Sequence, residues 1–186
     1  LQLEASAWLG SDGLKMLHYG SQNAKRMMAQ YLTLLCFNAN GNDLPLQVFY
    51  LKWAKGQAEL RQATWQPVMM EEAQQRLEEI GALYRQVLSE PVPCFAGLAV
   101  ELTKKYTGGR KKEKPQIPLS QWLSSTEGLK TWENALDSGF MQASINDDPY
   151  VRWFFPQGLL PDQFPCEAAE RFFVPLLLNQ KDGKVS

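Results

Sequence analysis

The chain has 186 residues, of which 45% are hydrophobic and 21% charged, and its formal net charge is −1. This length and composition are typical of one globular domain, and no apolar run approaches the about 18 residues that a membrane-spanning helix needs. Leu1 stands where an initiator Met would be, so we expect a C-terminal piece of a longer protein. Cys36, Cys94 and Cys166 are far apart and cannot form a zinc site with the one histidine, which favours reduced, packed thiols in a cytoplasmic protein.

The first elements along the chain are predicted as a hairpin, with strands over residues 1–9 and 14–19 and a turn signal at Asp12-Gly13. Ser21 is the predicted N-cap of an amphipathic helix over residues 22–38. A second hairpin follows, because β-branched and aromatic residues alternate with polar ones in two further runs. Its strands are predicted over residues 44–52 and 58–65.

The second half of the chain is predicted to be helical. The clearest helix covers residues 70–89, with an apolar face formed by Ala73, Leu77, Ile80, Tyr84 and Val87. Shorter helices are predicted over residues 95–106, 127–140 and 166–179, with a turn over 149–155. Residues 107–118 are predicted to form a mobile loop. The pattern indicates an α/β (α+β) fold, a small sheet with flanking helices.

The first hairpin and the helix after it have the order of elements that many metal-dependent DNA nucleases use for their active site. Such a site needs carboxylates on two strands to hold Mg²⁺, but the second strand, which ends in His18, Tyr19 and Gly20, has none. Glu4 and Asp12 are the only acids of the hairpin, and the turn alone explains Asp12. A lone His18 on a strand is more often a packed residue than a general base. The pattern therefore favours a nuclease-like frame without a metal site.

An acidic pair elsewhere, Asp147-Asp148, precedes Pro149. Out of context the two carboxylates resemble a catalytic pair. An Asp directly before Pro is more simply a turn and a helix N-cap. We therefore predict a structural role for both residues.

Positive charge is concentrated in one segment. Residues 104–114 contain six basic side chains and one acid, so this block carries +5 and the rest of the chain −6. Two interpretations remain open: a solvated loop, or a surface that contacts DNA phosphates, with Tyr106 at its edge stacking on a base. The candidate DNA-binding residues are Lys104, Lys105, Arg110, Lys111, Lys112 and Lys114.

Six tryptophans are more than a core of this size usually contains. Trp53, Trp65 and Trp122 are therefore predicted to face a partner subunit, since Trp is favoured in protein interfaces. The aromatic stretch 150–155 and the pair Phe172-Phe173 are predicted to belong to the core.

Three stretches together resemble the C-terminal domain of RecC, the gamma subunit of bacterial exodeoxyribonuclease V, which is the RecBCD helicase–nuclease. They cover nearly the whole chain in order. The stretches are residues 24–35 closing on 38–41, residues 81–86 before 91–95, and residues 169–180.

The resemblance implies a restriction-endonuclease-like core that has lost its catalytic residues. It implies a domain over residues 1–180 with a tail over 181–186, which helps to split the duplex, guides single strands and docks the motor subunits. Glu4, His18 and Gly20 would be the degenerate nuclease positions. RecB- and RecD-type subunits and DNA are the implied partners, with no cofactor, metal, membrane or small-molecule substrate.

Two other hypotheses stay open. In one, the chain is an active Mg²⁺-dependent nuclease that uses Glu4, Asp12 or Asp147, which requires these carboxylates to converge on a metal. In the other, it is a free-standing DNA-binding module driven by the basic segment, which predicts binding that weakens steeply with salt.

Overall fold

The computed structural model describes residues 7–18, 20–54, 56–109, 116–137 and 145–184. These residues divide into two compact units, one formed by residues 1–81 with 178–186 and the other by residues 82–177. Glu4, Tyr19 and the basic residues Arg110, Lys111, Lys112 and Lys114 lie outside the described residues.

The first unit contains a five-stranded mixed sheet in which the spatial order of the strands is the chain order. The second and third strands are parallel and the other neighbouring pairs are antiparallel. A helix connects the parallel pair, as a crossover connection requires. The strands are β1 (Trp8–Gly10), β2 (Gly13–His18), β3 (Leu46–Ala54), β4 (Gln57–Trp65) and β5 (Gln180–Lys184).

Both predicted hairpins are confirmed, β1–β2 and β3–β4. Residues 181–184, assigned to a tail from the sequence, instead pair with β4 as part of β5. The sequence of β5 is polar and lacks the alternation of apolar and polar residues that predicts a strand. Residues 180–184 form a strand because they pair with β4.

Seven α-helices are found in the described part of the chain, with short 3-10 turns at Ile145–Asp147 and Pro161–Gln163. The helices are α1 (Ala24–Ala39), α2 (Met70–Ser89), α3 (Ala96–Tyr106), α4 (Leu119–Leu123), α5 (Thr126–Asp137), α6 (Pro149–Phe154) and α7 (Cys166–Leu178). None of the helices in these ranges is both long and apolar enough to cross a membrane.

The predicted N-cap of α1 was wrong by two residues. Asn23, not Ser21, caps the helix, and its side-chain oxygen accepts a hydrogen bond from the Arg26 backbone N–H at 3.0 Å. The predicted bounds of α2 match the structure. Its predicted apolar face is only partly buried, because Ala73 is buried whereas Tyr84 and Val87 are exposed.

The core of the first unit lies between α1 and one face of the sheet. Tyr31 and Leu34 on α1 are fully buried, as are Leu46 and Val48 on β3, and the helix contacts that strand. The buried side chain of Asn38 closes the end of α1. Its amide nitrogen donates to the Leu44 carbonyl oxygen at 3.2 Å, and its amide oxygen accepts from the Val68 N–H at 2.9 Å.

The second unit is helical. α3 contacts both α4 and α5, and its Leu98 and Leu102 side chains are buried. Phe172 and Phe173 on α7 are buried as predicted, with their ring centroids 5.0 Å apart.

The three cysteines form no disulfide and are each partly buried. Burial raises the pKa of the Cys94 thiol to about 11. This agrees with the expectation of packed thiols, since a raised pKa disfavours the reactive thiolate.

Candidate functional site

The corner between β2 and α1 is the place where the nuclease-like frame would carry its metal ligands. His18 ends β2 in register with Tyr50, and its buried Nε2 atom has no hydrogen-bond partner. Burial lowers the pKa of the His18 imidazole, and the charge of Arg26 lowers it further. A neutral, partly buried imidazole fits the interpretation of His18 as a packed residue.

Gly20 adopts a φ of +119°, and the Arg26 guanidinium lies directly over it. A Cβ atom at this position would come within 3.3 Å of Arg26 Nη1, which donates to the Ser21 carbonyl oxygen. The corner therefore holds the imidazole of His18 and the guanidinium of Arg26, and none of the described residues 18 and 20–26 is Asp or Glu. Neither the imidazole nor the guanidinium is a ligand of the type that Mg²⁺ prefers.

The carboxylate of Asp12 is bound by side chains of β2 and β3. It accepts from Lys15 Nζ at 2.8 Å and from Gln47 Nε2 at 3.3 Å. The hydrogen bond from Lys15 is the main reason why the pKa of Asp12 lies below its usual value. These contacts support the interpretation of Asp12 as a turn residue.

The acidic pair before Pro149 has the structural role predicted for it. Asp148 caps α6, and its carboxylate accepts from the Tyr150 backbone N–H at 2.8 Å. Asp147 forms an ion pair with Arg152 at 2.7 Å. Within the described ranges, no group of three or more His, Cys, Asp or Glu side chains is arranged to hold a metal ion.

Lys104 and Lys105 are the basic-segment residues that the structure describes. Both lie in the last turn of α3, where Lys104 pairs with Glu101 at 2.8 Å and Lys105 is exposed. Positive side chains are favourable at the negative end of a helix. This placement explains both residues without a ligand.

The proposed stacking role of Tyr106 was wrong, because this side chain is buried. Its hydroxyl lies within hydrogen-bond distance of two acceptors, the Ile117 carbonyl oxygen at 2.6 Å and a Glu170 carboxylate oxygen at 3.0 Å. Glu170 also accepts from the Leu119 backbone N–H at 3.0 Å. Tyr106 and Glu170 thus fix the chain on the far side of the basic segment.

Of the three tryptophans predicted to face a partner, the structure leaves only Trp53 exposed. Trp65 is fully buried in the sheet, and Trp122 is buried with its ring 5.7 Å from that of Tyr106. The prediction was wrong for Trp65 and Trp122, because each side chain lies on the buried face of its strand or helix. Sequence reasoning also missed Trp8 and Trp153, which are exposed.

A sequence model of the RecC C-terminal domain matches residues 2–107, more than half of the chain. The chain belongs to the RecC C-terminal domain family. RecC is a subunit of RecBCD, the exodeoxyribonuclease V complex. No curated protein matches the chain.

The family match covers β1 to α3 and includes the first two of the three stretches that carried the resemblance. It ends before the third stretch, at residues 169–180. This RecC-family chain therefore has α4 to α7 and β5 beyond the matched region.

The sheet of this RecC-family domain has an apolar outer face. β3 alternates between buried residues that face α1 and the residues Phe49, Leu51 and Trp53 on the opposite side. Leu17 on β2 is in register with Phe49, and Leu60 on β4 is in register with Leu51. We call these five side chains, Leu17, Phe49, Leu51, Trp53 and Leu60, the open face.

Three side chains of the open face, Leu17, Trp53 and Leu60, are each 45% to 66% exposed. The solvated face of a sheet is normally polar, and an exposed apolar patch marks an interaction surface. None of the described residues at the register positions of this side of the sheet is Asp or Glu. The open face thus exposes apolar side chains, and the described strand residues around it on this side of the sheet carry no negative charge.

Proposed function

We propose that this chain is a non-catalytic, nuclease-like domain of a RecC subunit, with a restriction-endonuclease-like core. In this proposal it scaffolds the RecB- and RecD-type motor subunits in the cytoplasm and guides or splits DNA strands during double-strand-break repair. The observation that carries the proposal is the β2–α1 corner. Where a metal-dependent nuclease needs carboxylates, β2 has none, and His18 and Arg26 lie at the corner instead.

The sheet supports a single domain that extends past the family match. β5 comes from residues 180–184 and pairs with β4, which lies inside the matched region. The proposed domain therefore includes residues 181–184, beyond the boundary at residue 180 expected from the sequence. The parallel pair β2–β3 with its crossover helix α1 supports a nuclease-like core.

The role in guiding DNA rests on charge. The basic residues Lys104, Lys105, Arg110, Lys111, Lys112 and Lys114 are the proposed phosphate contacts, since clustered Lys and Arg release counterions from DNA. The role as a scaffold rests on the open face, whose Trp53 is the proposed anchor for a motor subunit.

A cleavage assay tests the absence of catalysis. We expect end-labelled linear DNA to stay intact with this chain in Mg²⁺ or Mn²⁺, at the level of a metal-free blank, because β2 has no carboxylate to hold the metal. Glu4→Ala is the matched variant, since Glu4 is the strongest remaining candidate ligand on the first hairpin. Cleavage that Glu4→Ala abolishes would make the chain an active nuclease and overturn the proposal.

Co-purification tests the scaffold role. Trp53→Asp places a charge at the exposed end of β3 in the open face, and we expect it to reduce recovery of the co-expressed RecB- and RecD-type subunits at least about tenfold, the effect of losing a hot-spot contact. Gln57→Asp adds the same charge to β4 on the other side of the sheet, where recovery should be unchanged. Equal recovery with both variants would show that the motor subunits do not dock on the open face.

A further inference from the structure

A groove of about 530 Å³ lies in the second unit, lined by residues of two stretches of the chain. One stretch runs from the end of α2 towards α3 and includes Leu88 and Val92. The other runs from Asp148 through α6 to the residue after it, and includes Tyr150 and Phe154. The volume lies within the range of about 300–1,000 Å³ that is typical of ligand-binding pockets.

The rim of this groove exposes large apolar side chains. Tyr150 is 79% exposed and Leu88 is 69% exposed. Trp153 does not line the groove, but it is 82% exposed and lies three residues after Tyr150, next to it on the surface of α6. Single exposed apolar residues are ordinary, but a contiguous set marks a site of interaction. Tyr and Trp are also the residues that dominate the energetics of protein interfaces.

The charges around the groove indicate which kind of partner it can bind. Among the described residues that line it, the charged ones are Glu90 and Asp148. Asp148 caps α6, whose positive N-terminal end offsets its charge, whereas Glu90 is exposed beside the negative end of α2. α2 ends at Ser89, which also lines the groove, and has no basic residue in its last turn to balance the negative end of the helix. Arg152 on α6 is already paired with Asp147. The groove is therefore lined mainly by apolar side chains and is negative at the part of its rim formed by Glu90 and the end of α2.

This charge disfavours nucleic acid, because the phosphates would lie next to Glu90 and the negative end of α2. It favours a chain whose apolar side chains enter the groove while Lys or Arg side chains meet the rim. Amphipathic segments that place apolar anchors in a groove are a recurring mode of protein recognition.

We propose that this groove binds a segment of a partner protein in which apolar side chains are flanked by Lys or Arg. The inference stands apart from the proposed scaffold role, since none of its residues belongs to the open face. α6, which supplies one wall, also lies beyond residue 107, where the family match ends.

Panning a random 12-residue peptide phage library on the immobilised chain tests the proposal. The expected outcome is enrichment of sequences that combine two or more large apolar residues with a net positive charge. Glu90→Lys reverses the rim charge at an exposed residue. Tyr150→Ala with Trp153→Ala removes the exposed aromatic ring at the rim and the one next to it on α6. The enriched peptide, labelled with fluorescein, should bind each of these variants at least about tenfold more weakly.

Trp8→Ala is the matched control, because it removes another exposed tryptophan from the first unit. Peptide affinity should be unchanged in this variant. The proposal would be overturned if the enriched peptides were acidic, or if panning on the wild-type chain enriched no peptides beyond those enriched on the Tyr150→Ala/Trp153→Ala variant. It would also be overturned if Glu90→Lys left the affinity of the enriched peptide unchanged. Binding of labelled dT20 that is lost on Tyr150→Ala/Trp153→Ala would overturn it in favour of a single-strand stacking surface.

Discussion

Trp65→Ala is expected to lower the free energy of unfolding by about 3–5 kcal/mol, the usual cost of deleting a buried Trp side chain. Trp65 is fully buried and ends β4, in register with Leu46 on β3 and Gln180 on β5. Both neighbours are buried, so the cavity left by the Trp65 side chain would be closed to solvent and would destabilise the fold. Urea denaturation followed by circular dichroism measures the loss as a shift of the midpoint.

Trp53→Ala is the matched control, since the same substitution falls on the same hairpin. Trp53 pairs with Ala58 and is 66% exposed on the opposite side of the sheet. Its removal should change the free energy of unfolding by no more than about 0.5 kcal/mol, as is usual for surface residues. Similar losses in the two variants would contradict the assignment of Trp65 to the core and of Trp53 to the open face.

The local elements could be predicted because their signals are local. Acidic residues at the start of α2 and Pro91 after its end define a helix whose predicted bounds match Met70–Ser89. Gly56, with a φ of +77°, similarly allows the sharp turn between β3 and β4. β5 could not be predicted in this way, because Gln180–Lys184 becomes a strand only by pairing with β4.

The predictions failed mainly in deciding which aromatic side chains are exposed. The exposure of an aromatic side chain depends on which other elements of the fold cover it. The sequence places Trp53 and Trp65 on the same predicted hairpin. The structure separates them, because Trp65 lies on the face of the sheet that α1 covers and Trp53 lies on the opposite face. α6 is six residues long and buries only Val151, so Tyr150, Trp153 and Phe154 stay exposed although their composition suggested core. Family membership, in contrast, was recognisable from short ordered stretches of sequence, two of which lie in the matched region.

Gly128→Ala is expected to destabilise the second unit by about 1–3 kcal/mol, the cost of overpacking a filled site. In an exposed helix interior the same substitution would stabilise by up to about 1 kcal/mol. Here a Cβ atom would overlap the Trp122 carbonyl oxygen and would lie 2.6 Å from the Leu123 Cα atom. Both obstacles are backbone atoms of α4, and the Ser125 N–H donates to that carbonyl at 2.9 Å, so neither can move aside cheaply.

The tight turn between α4 and α5 depends on this close approach. Ser125 Oγ accepts from the Gly128 N–H at 3.1 Å and so caps α5 where it meets α4. Gly97→Ala is the matched control, because Gly97 lies in α3 with no atom within 4 Å of an added Cβ. Urea denaturation should show Gly97→Ala as neutral or stabilising and Gly128→Ala as destabilising. A gain of stability at both positions would mean that α4 and α5 do not pack this closely.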